Sequence, residues 1–83
     1  MSYRIEFGGQ ALVQLNGLPP EAFDALVERV VELADEPWDA VVMAPGHDPA
    51  FRESTFGHGN GFLSFRFDEV AGLIRIFHVV WAN

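Results

Sequence analysis

The sequence contains no cysteine, no lysine and no long uninterrupted apolar run. Without cysteine, a disulfide framework and a zinc site with thiolate ligands are both excluded. The most apolar segment, residues 73–82, is shorter than the ~20 residues that span a bilayer, and Arg75 and His78 interrupt it. The N-terminal residues alternate polar with apolar side chains, unlike the basic and then apolar start of a signal peptide. We therefore expect a cytoplasmic protein that makes no contact with a membrane.

Positive charge is scarce as well. Five arginines stand against twelve carboxylates, which gives a net charge of -7. Because nucleic-acid backbones bind to clustered lysine and arginine, this charge argues against a broad nucleic-acid-binding surface. The arginines are scattered along the chain, so any basic patch is a modest local one. Elsewhere the negative charge serves to keep a small domain in solution.

Apolar side chains are plentiful. Of the 83 residues, 49% are hydrophobic and eight are phenylalanine. A chain of this length forms one domain but is too short for two, so we expect a single domain over residues 1–83 with one core.

The first half of the chain has the pattern of one strand and two helices. Residues 3–7 alternate apolar and polar side chains with the period of a half-buried strand. Residues 10–16 form a short helix or a single long turn. A second, longer helix covers about residues 20–35, because a proline pair suits its first turn and Pro37 ends it.

An apolar stripe of the longer helix is predicted to pack on the core, with acidic side chains opposite. The stripe comprises Phe23, Leu26, Val27, Val30, Leu33 and Ala34.

The second half is predicted to form a linking segment followed by three strands. In the segment, residues 38–50, Val41-Val42-Met43 is the one apolar cluster, and we expect it to pack under a loop. The strands cover residues 51–56, 62–67 and 73–81, and the last is apolar on both faces, as in a central strand buried on both sides. The fold class is thus α+β: one N-terminal strand, two helices, then a three-stranded antiparallel meander.

Several of these segments together resemble the RelE/ParE toxin superfamily. They are the N-terminal strand, Leu18-Pro19 leading into the helix that ends at Pro37, and the strands of residues 61–65 and 72–81 on either side of Asp68-Glu69. The resemblance implies a sheet packed on helices and a role in a bacterial toxin–antitoxin system. RelE-like members cleave mRNA in the ribosome, ParE-like members act on DNA gyrase, and an antitoxin segment wraps apolar grooves of the toxin.

The resemblance also suggests catalytic residues. Cleaving members hold the scissile phosphate with lysine and arginine and often end with a tyrosine or histidine, since cations stabilise developing phosphoryl charge and an acid–base group moves protons. The candidates in this chain are Arg52, Arg66, Arg75 and His78, with the three arginines expected to converge on one face of the sheet. The alternatives are ion pairs of the arginines with carboxylates such as Glu53 or Asp68 and a buried, hydrogen-bonded histidine.

The sequence departs from the family where RNA would be held. Phe62 stands where an arginine commonly opens the second meander strand, and Trp81-Ala82 replaces a basic or hydroxyl-bearing pair. We therefore expect a diverged member that binds protein rather than cleaving RNA, with nucleic acid met only through the ribosome. A ribosome-dependent mRNA endoribonuclease and an unrelated small interaction module are the alternative functions.

The expected partner is an antitoxin-like protein, or a second copy of the chain in a homodimer. Trp38 and Trp81 are the candidate partner-binding residues, because large aromatics anchor interfaces, and core packing is the alternative for both.

No cofactor and no metal ion is expected. Residues 57–61 are glycine-rich, but they lack the lysine and the following helix of a phosphate-binding loop, so a hairpin turn is predicted. His47-Asp48 and His58 do not have the spacing of a known metal-ligand motif.

Overall fold

A computed structural model describes residues 2–42 and 48–82. The predicted order of strand, helix, helix and meander is confirmed, and the fold is α+β. None of the helices in the described residues is long and apolar enough to cross a membrane. The elements are β1 (Arg4–Phe7), α1 (Gly9–Asn16), α2 (Pro20–Asp35), a 3-10 helix (Pro37–Asp39), β2 (Val41–Val42), β3 (Phe51–Phe56), β4 (Gly61–Asp68) and β5 (Leu73–Trp81).

The five strands form one mixed sheet in the order β1-β5-β4-β3-β2. The meander β3-β4-β5 is antiparallel, as predicted, whereas β1 runs parallel to β5. A parallel pair needs a long crossover connection. Here α1 and α2 begin that connection and the meander completes it, so β1 lies at one edge of the sheet and β5 becomes an inner strand.

The linking segment contains more structure than the sequence predicted. The 3-10 helix follows α2 directly, and β2 pairs Val41 with Glu53 and Val42 with Arg52. Val41 is exposed rather than packed under a loop, so that expectation is wrong for this residue. Met43 lies outside the described residues. Two residues of strand are too short to produce a periodic signal, which is why the sequence pattern missed β2.

One face of the sheet, the covered face, packs on the helices and carries the core. Its fully buried side chains include Leu63, Phe65, Ile74 and Ile76. Successive side chains of a strand point to opposite faces, so the alternate positions form a second, open face. The prediction that β5 is buried on both sides is wrong: Arg75 is exposed between Ile74 and Ile76, because no element within residues 2–42 and 48–82 forms a second layer on the open face.

The glycine-rich connection between β3 and β4 is the hairpin turn that the sequence predicted. Gly57, His58 and Gly59 all have positive φ, and the amide of Asn60 donates to the carbonyl of Gly57. A side chain at position 57 would also meet the Trp81 ring, since a Cβ there lies 2.7 Å from the nearest ring atom. Glycine is needed at this position both for its backbone conformation and for the close approach of Trp81.

Candidate functional site

A row of four side-chain positions crosses the open face of the sheet. Glu6 on β1 pairs with Arg75 on β5, Arg75 pairs with Arg66 on β4, and Arg66 pairs with Phe51 on β3. The structure therefore brings two of the predicted catalytic arginines, Arg66 and Arg75, side by side. Like charges directly opposite each other on neighbouring strands are destabilising unless other groups compensate them.

Each arginine of this row has its own carboxylate. Arg75 forms an ion pair with Glu6, and Arg66 forms one with Asp48 at 3.4 Å. The Arg66 guanidinium also lies 5.7 Å from the centre of the Phe51 ring. The predicted partners, Glu53 and Asp68, are not the ones used. An anion bound between the two arginines would have to compete with both carboxylates, because opposite charges at this distance already satisfy the cations.

Arg52 lies on the other side of the sheet. It pairs with the core residue Phe65 and is only 9% exposed. Its Nε donates to the carbonyl of Pro49 at 2.7 Å and its Nη1 to the carbonyl of Ala40 at 2.8 Å. The guanidinium also lies 5.3 Å from the centre of the Trp38 ring. The expected convergence of Arg52 with Arg66 and Arg75 on one face is therefore wrong, since Arg52 ties the segment before β3 to the core.

His78 lies apart from the arginine row. It is half-buried and pairs with Ser64, while Ile76 pairs with Phe65, so the register shift leaves Phe77 without a partner residue. His78 lies three positions after Arg75 along β5, which corresponds to about 10 Å. Of the four predicted catalytic residues, the structure brings two together and places the other two elsewhere.

The two tryptophans differ in their surroundings. Trp38 is half exposed and packs edge-on against Phe67, with ring centres 4.5 Å apart. Trp81 is partly buried against the core and stacks on Phe56 at 5.7 Å. Its indole Nε1 is buried without a hydrogen-bond acceptor in the described part of the chain. Trp81 thus packs as a core-edge residue, whereas Trp38 offers one ring face to solvent.

Tyr3, the residue before β1, has a hydroxyl with a raised pKa. Burial, and after it the carboxylates of Glu69 and Asp68, raise the pKa of the Tyr3 hydroxyl above its ordinary value. Both causes disfavour the negatively charged form. Tyr3 therefore stays protonated at neutral pH, with its ring against the edge of Phe67.

Metal ligands do not cluster in the part of the chain that the structure describes. Within residues 2–42 and 48–82, no three histidine, aspartate or glutamate side chains are placed to hold an ion. Of the residues considered from the sequence, His47 lies outside the described residues, Asp48 pairs with Arg66, and His58 lies in the β3–β4 turn.

An apolar groove lies on the helical side of the molecule, between β1, α1 and α2. Its volume is ≈ 210 Å³, and every side chain that lines it is apolar. On its outer wall, Phe23 and Val27 are each 44% exposed and Val31 is 60% exposed. The lining residues are Ile5, Phe7, Leu15, Phe23, Leu26, Val27, Val30 and Val31.

The groove corrects the prediction that the whole apolar stripe of α2 packs on the core. Leu26, Val30 and Leu33 are buried as expected, but Phe23 and Val27 are not. At 100° per residue, the apolar side chains of α2 cover about half of its circumference, wider than the stripe of ~100° that a helix buries against one sheet. The sequence signal for the groove was this excess width.

Solved structures similar to this chain include a RelE toxin and complexes of RelE with RelB. No family model matches the sequence, and no curated protein is similar to it. The isolated RelE toxin from E. coli superimposes with a TM-score of 0.83 at 17% identity, covering 99% of this chain and 86% of that one. The RelBE2 toxin–antitoxin complex from Mycobacterium tuberculosis gives 0.80 at 23% identity, covering 98% and 92%. The RelE–RelB complex from Pyrococcus horikoshii OT3 gives 0.74 at 18% identity, covering 100% and 98%.

This chain therefore has a RelE-like fold. The resemblance stated from the sequence is confirmed at the level of the fold, including the sheet and the two helices. Sequence identities of 17–23% to these structures establish the fold, whereas the activity depends on the surface residues of this chain.

Proposed function

We propose that this protein is a toxin-like member of a toxin–antitoxin pair that acts by binding another protein rather than by cleaving RNA. The observation that carries the proposal is the apolar groove between β1, α1 and α2. A row of exposed Phe23, Val27 and Val31 along one helix is the kind of surface that a partner segment covers. Structures of the same fold from M. tuberculosis and P. horikoshii are complexes with an antitoxin.

The engagement of the arginines supports protein binding over phosphate binding. Arg29 contacts Glu32 and Asp39, Arg66 contacts Asp48, and Arg75 contacts Glu6. Arg52 is occupied by backbone carbonyls. Four of the five arginines are thus engaged within the chain, and of the five only Arg4 is exposed without an ion pair among the described residues. Against a net charge of -7, little positive potential is left for an RNA backbone.

The test uses the product of a short reading frame next to the gene as the candidate partner. The two chains are co-expressed and co-purified, and their dissociation constant is measured by calorimetry. Val27→Asp places a charge in the groove wall and should weaken binding at least tenfold, because a carboxylate buried in an apolar interface is left unpaired. Val70→Asp is the matched control, since Val70 is 100% exposed and lies outside the groove. Equal affinities for the two variants would refute binding through the groove.

A ribosome-dependent endoribonuclease is the second candidate, favoured by the adjacent Arg66 and Arg75 on the open face. It is tested with purified ribosomes programmed with mRNA, comparing the wild type with the Arg66→Ala/Arg75→Ala double variant. We expect neither protein to cleave the mRNA. Cleavage by the wild type that the double variant loses would establish the nuclease instead.

A further inference from the structure

One wall of the groove is bordered by an acidic ridge on α2. Val27 and Val31 in that wall are each preceded, three residues earlier, by a carboxylate, and residues three apart are neighbours on a helix surface. Asp24 therefore lies beside Val27 and Glu28 beside Val31, and both carboxylates are exposed. These two residues form the acidic ridge, whereas Glu32 faces the other side of α2, where it lines a cleft with Arg29 and Phe56.

The two sides of the groove differ in charge beyond its apolar lining. α1 contains no charged residue, whereas α2 carries five carboxylates and Arg29 as its one cation. Arg29 binds Glu32 and Asp39 and neither carboxylate of the ridge. Asp24 and Glu28 have no ion-pair partner within residues 2–42 and 48–82. The α1 side of the groove is thus neutral, and the α2 side is flanked by uncompensated negative charge.

We infer that the groove binds a basic amphipathic helix of a partner protein, with its apolar face on the groove and lysines or arginines along the flank that faces Asp24 and Glu28. This inference rests on the proposed function and specifies the chemistry of the partner. A helix fits because Phe23, Val27 and Val31, at positions i, i+4 and i+8, form an apolar row about 12 Å long. Such a row packs between the side-chain rows of a neighbouring helix. Charge complementarity selects a cationic flank.

A second copy of this chain fits the same face poorly. In a two-fold symmetric dimer the same patch meets itself, so the acidic ridges of two copies would lie close together. With a net charge of -7 on each copy, the long-range field repels them as well. The homodimer is therefore an outcome that the test must exclude.

The probes are two synthetic helical peptides of about 18 residues, long enough to cover the apolar row of Phe23, Val27 and Val31. Both carry the same leucine and alanine face, and their flanks carry lysine in one and glutamate in the other. Binding to the intact chain is measured by fluorescence anisotropy at about 0.05 M and about 0.5 M salt. The dissociation constant of the lysine peptide should be at least about tenfold lower than that of the glutamate peptide. The difference should shrink at high salt.

Variants of the chain separate groove binding from general attraction to an acidic protein. Asp24→Asn/Glu28→Gln should weaken binding of the lysine peptide at least about fivefold. The control Glu36→Gln/Glu69→Gln makes the same change in charge away from the groove and should have little effect on binding. Val27→Asp adds negative charge and should still weaken the lysine peptide, because it disrupts the apolar wall. Circular dichroism of each variant checks that the fold is retained.

Three results would overturn the inference. The first is that the glutamate peptide binds as tightly as the lysine peptide or more tightly. The second is that the Val27→Asp variant binds the lysine peptide more tightly than the wild type does. The third is that the chain alone sediments as a dimer, which Val27→Asp dissociates. If Asp24→Asn/Glu28→Gln does not weaken peptide binding while Val27→Asp still disrupts the co-purified complex, the basic helix is refuted and the proposed function stands. If Val27→Asp changes neither peptide binding nor the co-purified complex, both are refuted.

Discussion

On the covered face of the sheet, Arg52 lies under the Trp38 ring and donates to two backbone carbonyls, whereas on the open face Arg66 and Arg75 extend into solvent beside carboxylates. The residue type is the same and the consequences differ. A desolvated guanidinium must keep every hydrogen bond it makes, while an exposed ion pair exchanges with water at little cost. Stability should therefore depend on the covered face, and the open face should tolerate substitution.

The helical side adds a second contrast. Phe23 and Val27 belong to the same apolar arc as Leu26 and Val30, yet they remain exposed at the groove. The open face of the sheet presents Arg66 and Arg75, whose charges Asp48 and Glu6 already neutralise, whereas the groove presents apolar surface that nothing in the described chain covers. A surface of the second kind gains free energy when a partner covers it, and this is why we assign recognition to the helical side.

Neighbouring residues of β5 give the largest expected difference between the two faces. Ile74 is buried in the core and Leu73 lies partly exposed on the open face. Ile74→Ala should lower the free energy of unfolding by about 3 kcal/mol, from lost burial and the cavity that remains. Leu73→Ala should lower it by about 1 kcal/mol. Urea denaturation followed by circular dichroism measures both, and equal losses would contradict the one-sided burial of β5.

The arginines give the next difference. Arg52→Met keeps much of the apolar stem but leaves the carbonyls of Pro49 and Ala40 without their donor, so the free energy of unfolding should fall by about 2–3 kcal/mol. Arg66→Met should change it by less than about 1 kcal/mol. The same denaturation experiment measures both. A larger loss for Arg66 would show that the ion pair with Asp48 stabilises the fold more than the carbonyl network does.

The ion pair between Arg75 and Glu6 should contribute little. A double-mutant cycle with Arg75→Gln and Glu6→Gln should give a coupling free energy of about 0.5 kcal/mol, because both side chains are largely exposed. The coupling should fall further in about 0.5 M salt, where charges are screened over a few ångströms. A coupling that persists in high salt would mean that the pair is shielded from solvent.

The titration of Tyr3 tests whether its hydroxyl is buried beside the two carboxylates. The sequence contains one tyrosine and neither cysteine nor lysine, so absorbance of the phenolate reports this hydroxyl alone. Its midpoint should lie above that of a tyrosine peptide, and Glu69→Gln should lower it towards the peptide value by removing one of the two nearby carboxylates.

The same shift should appear in stability. At a pH below the pKa of unfolded tyrosine, both states hold the proton and the contribution of Tyr3 is constant. As the pH rises above that pKa, the unfolded state releases its proton first, so the free energy of unfolding falls until the pH passes the folded pKa. Tyr3→Phe should abolish this decrease, and an unchanged decrease in that variant would assign it to another group.

Much of the fold could be predicted because its signals are local. The bounds of α2 follow from the prolines at each end of residues 20–35, and those of β5 from a mostly apolar run over residues 73–81. Pairing is not local. Nothing between residues 1 and 42 indicates that β1 runs parallel to β5, and β2 exists only because β3 lies beside it.

The candidate site shows the same limit more sharply. The sequence indicated which arginines could act, and the alternation of strand residues already assigns Arg52 and Arg66 to particular faces once the strand register is known. The register itself is a tertiary property, set by the β3–β4 turn and the bulge at Phe77. The sequence placed three cations on adjacent strands, and the register placed one of them in the core.

The shortage of positive charge and the absence of thiol chemistry are fixed by composition alone, and the local sequence pattern fixes the order of the two longer helices and the four longer strands. Only the tertiary structure decided how the few cations are used, because an ion pair or a carbonyl network joins residues far apart in the chain. It also decided that part of the apolar surface of α2 is left uncovered by the described residues, since a sheet with one helical layer can bury only the side of α2 that faces it.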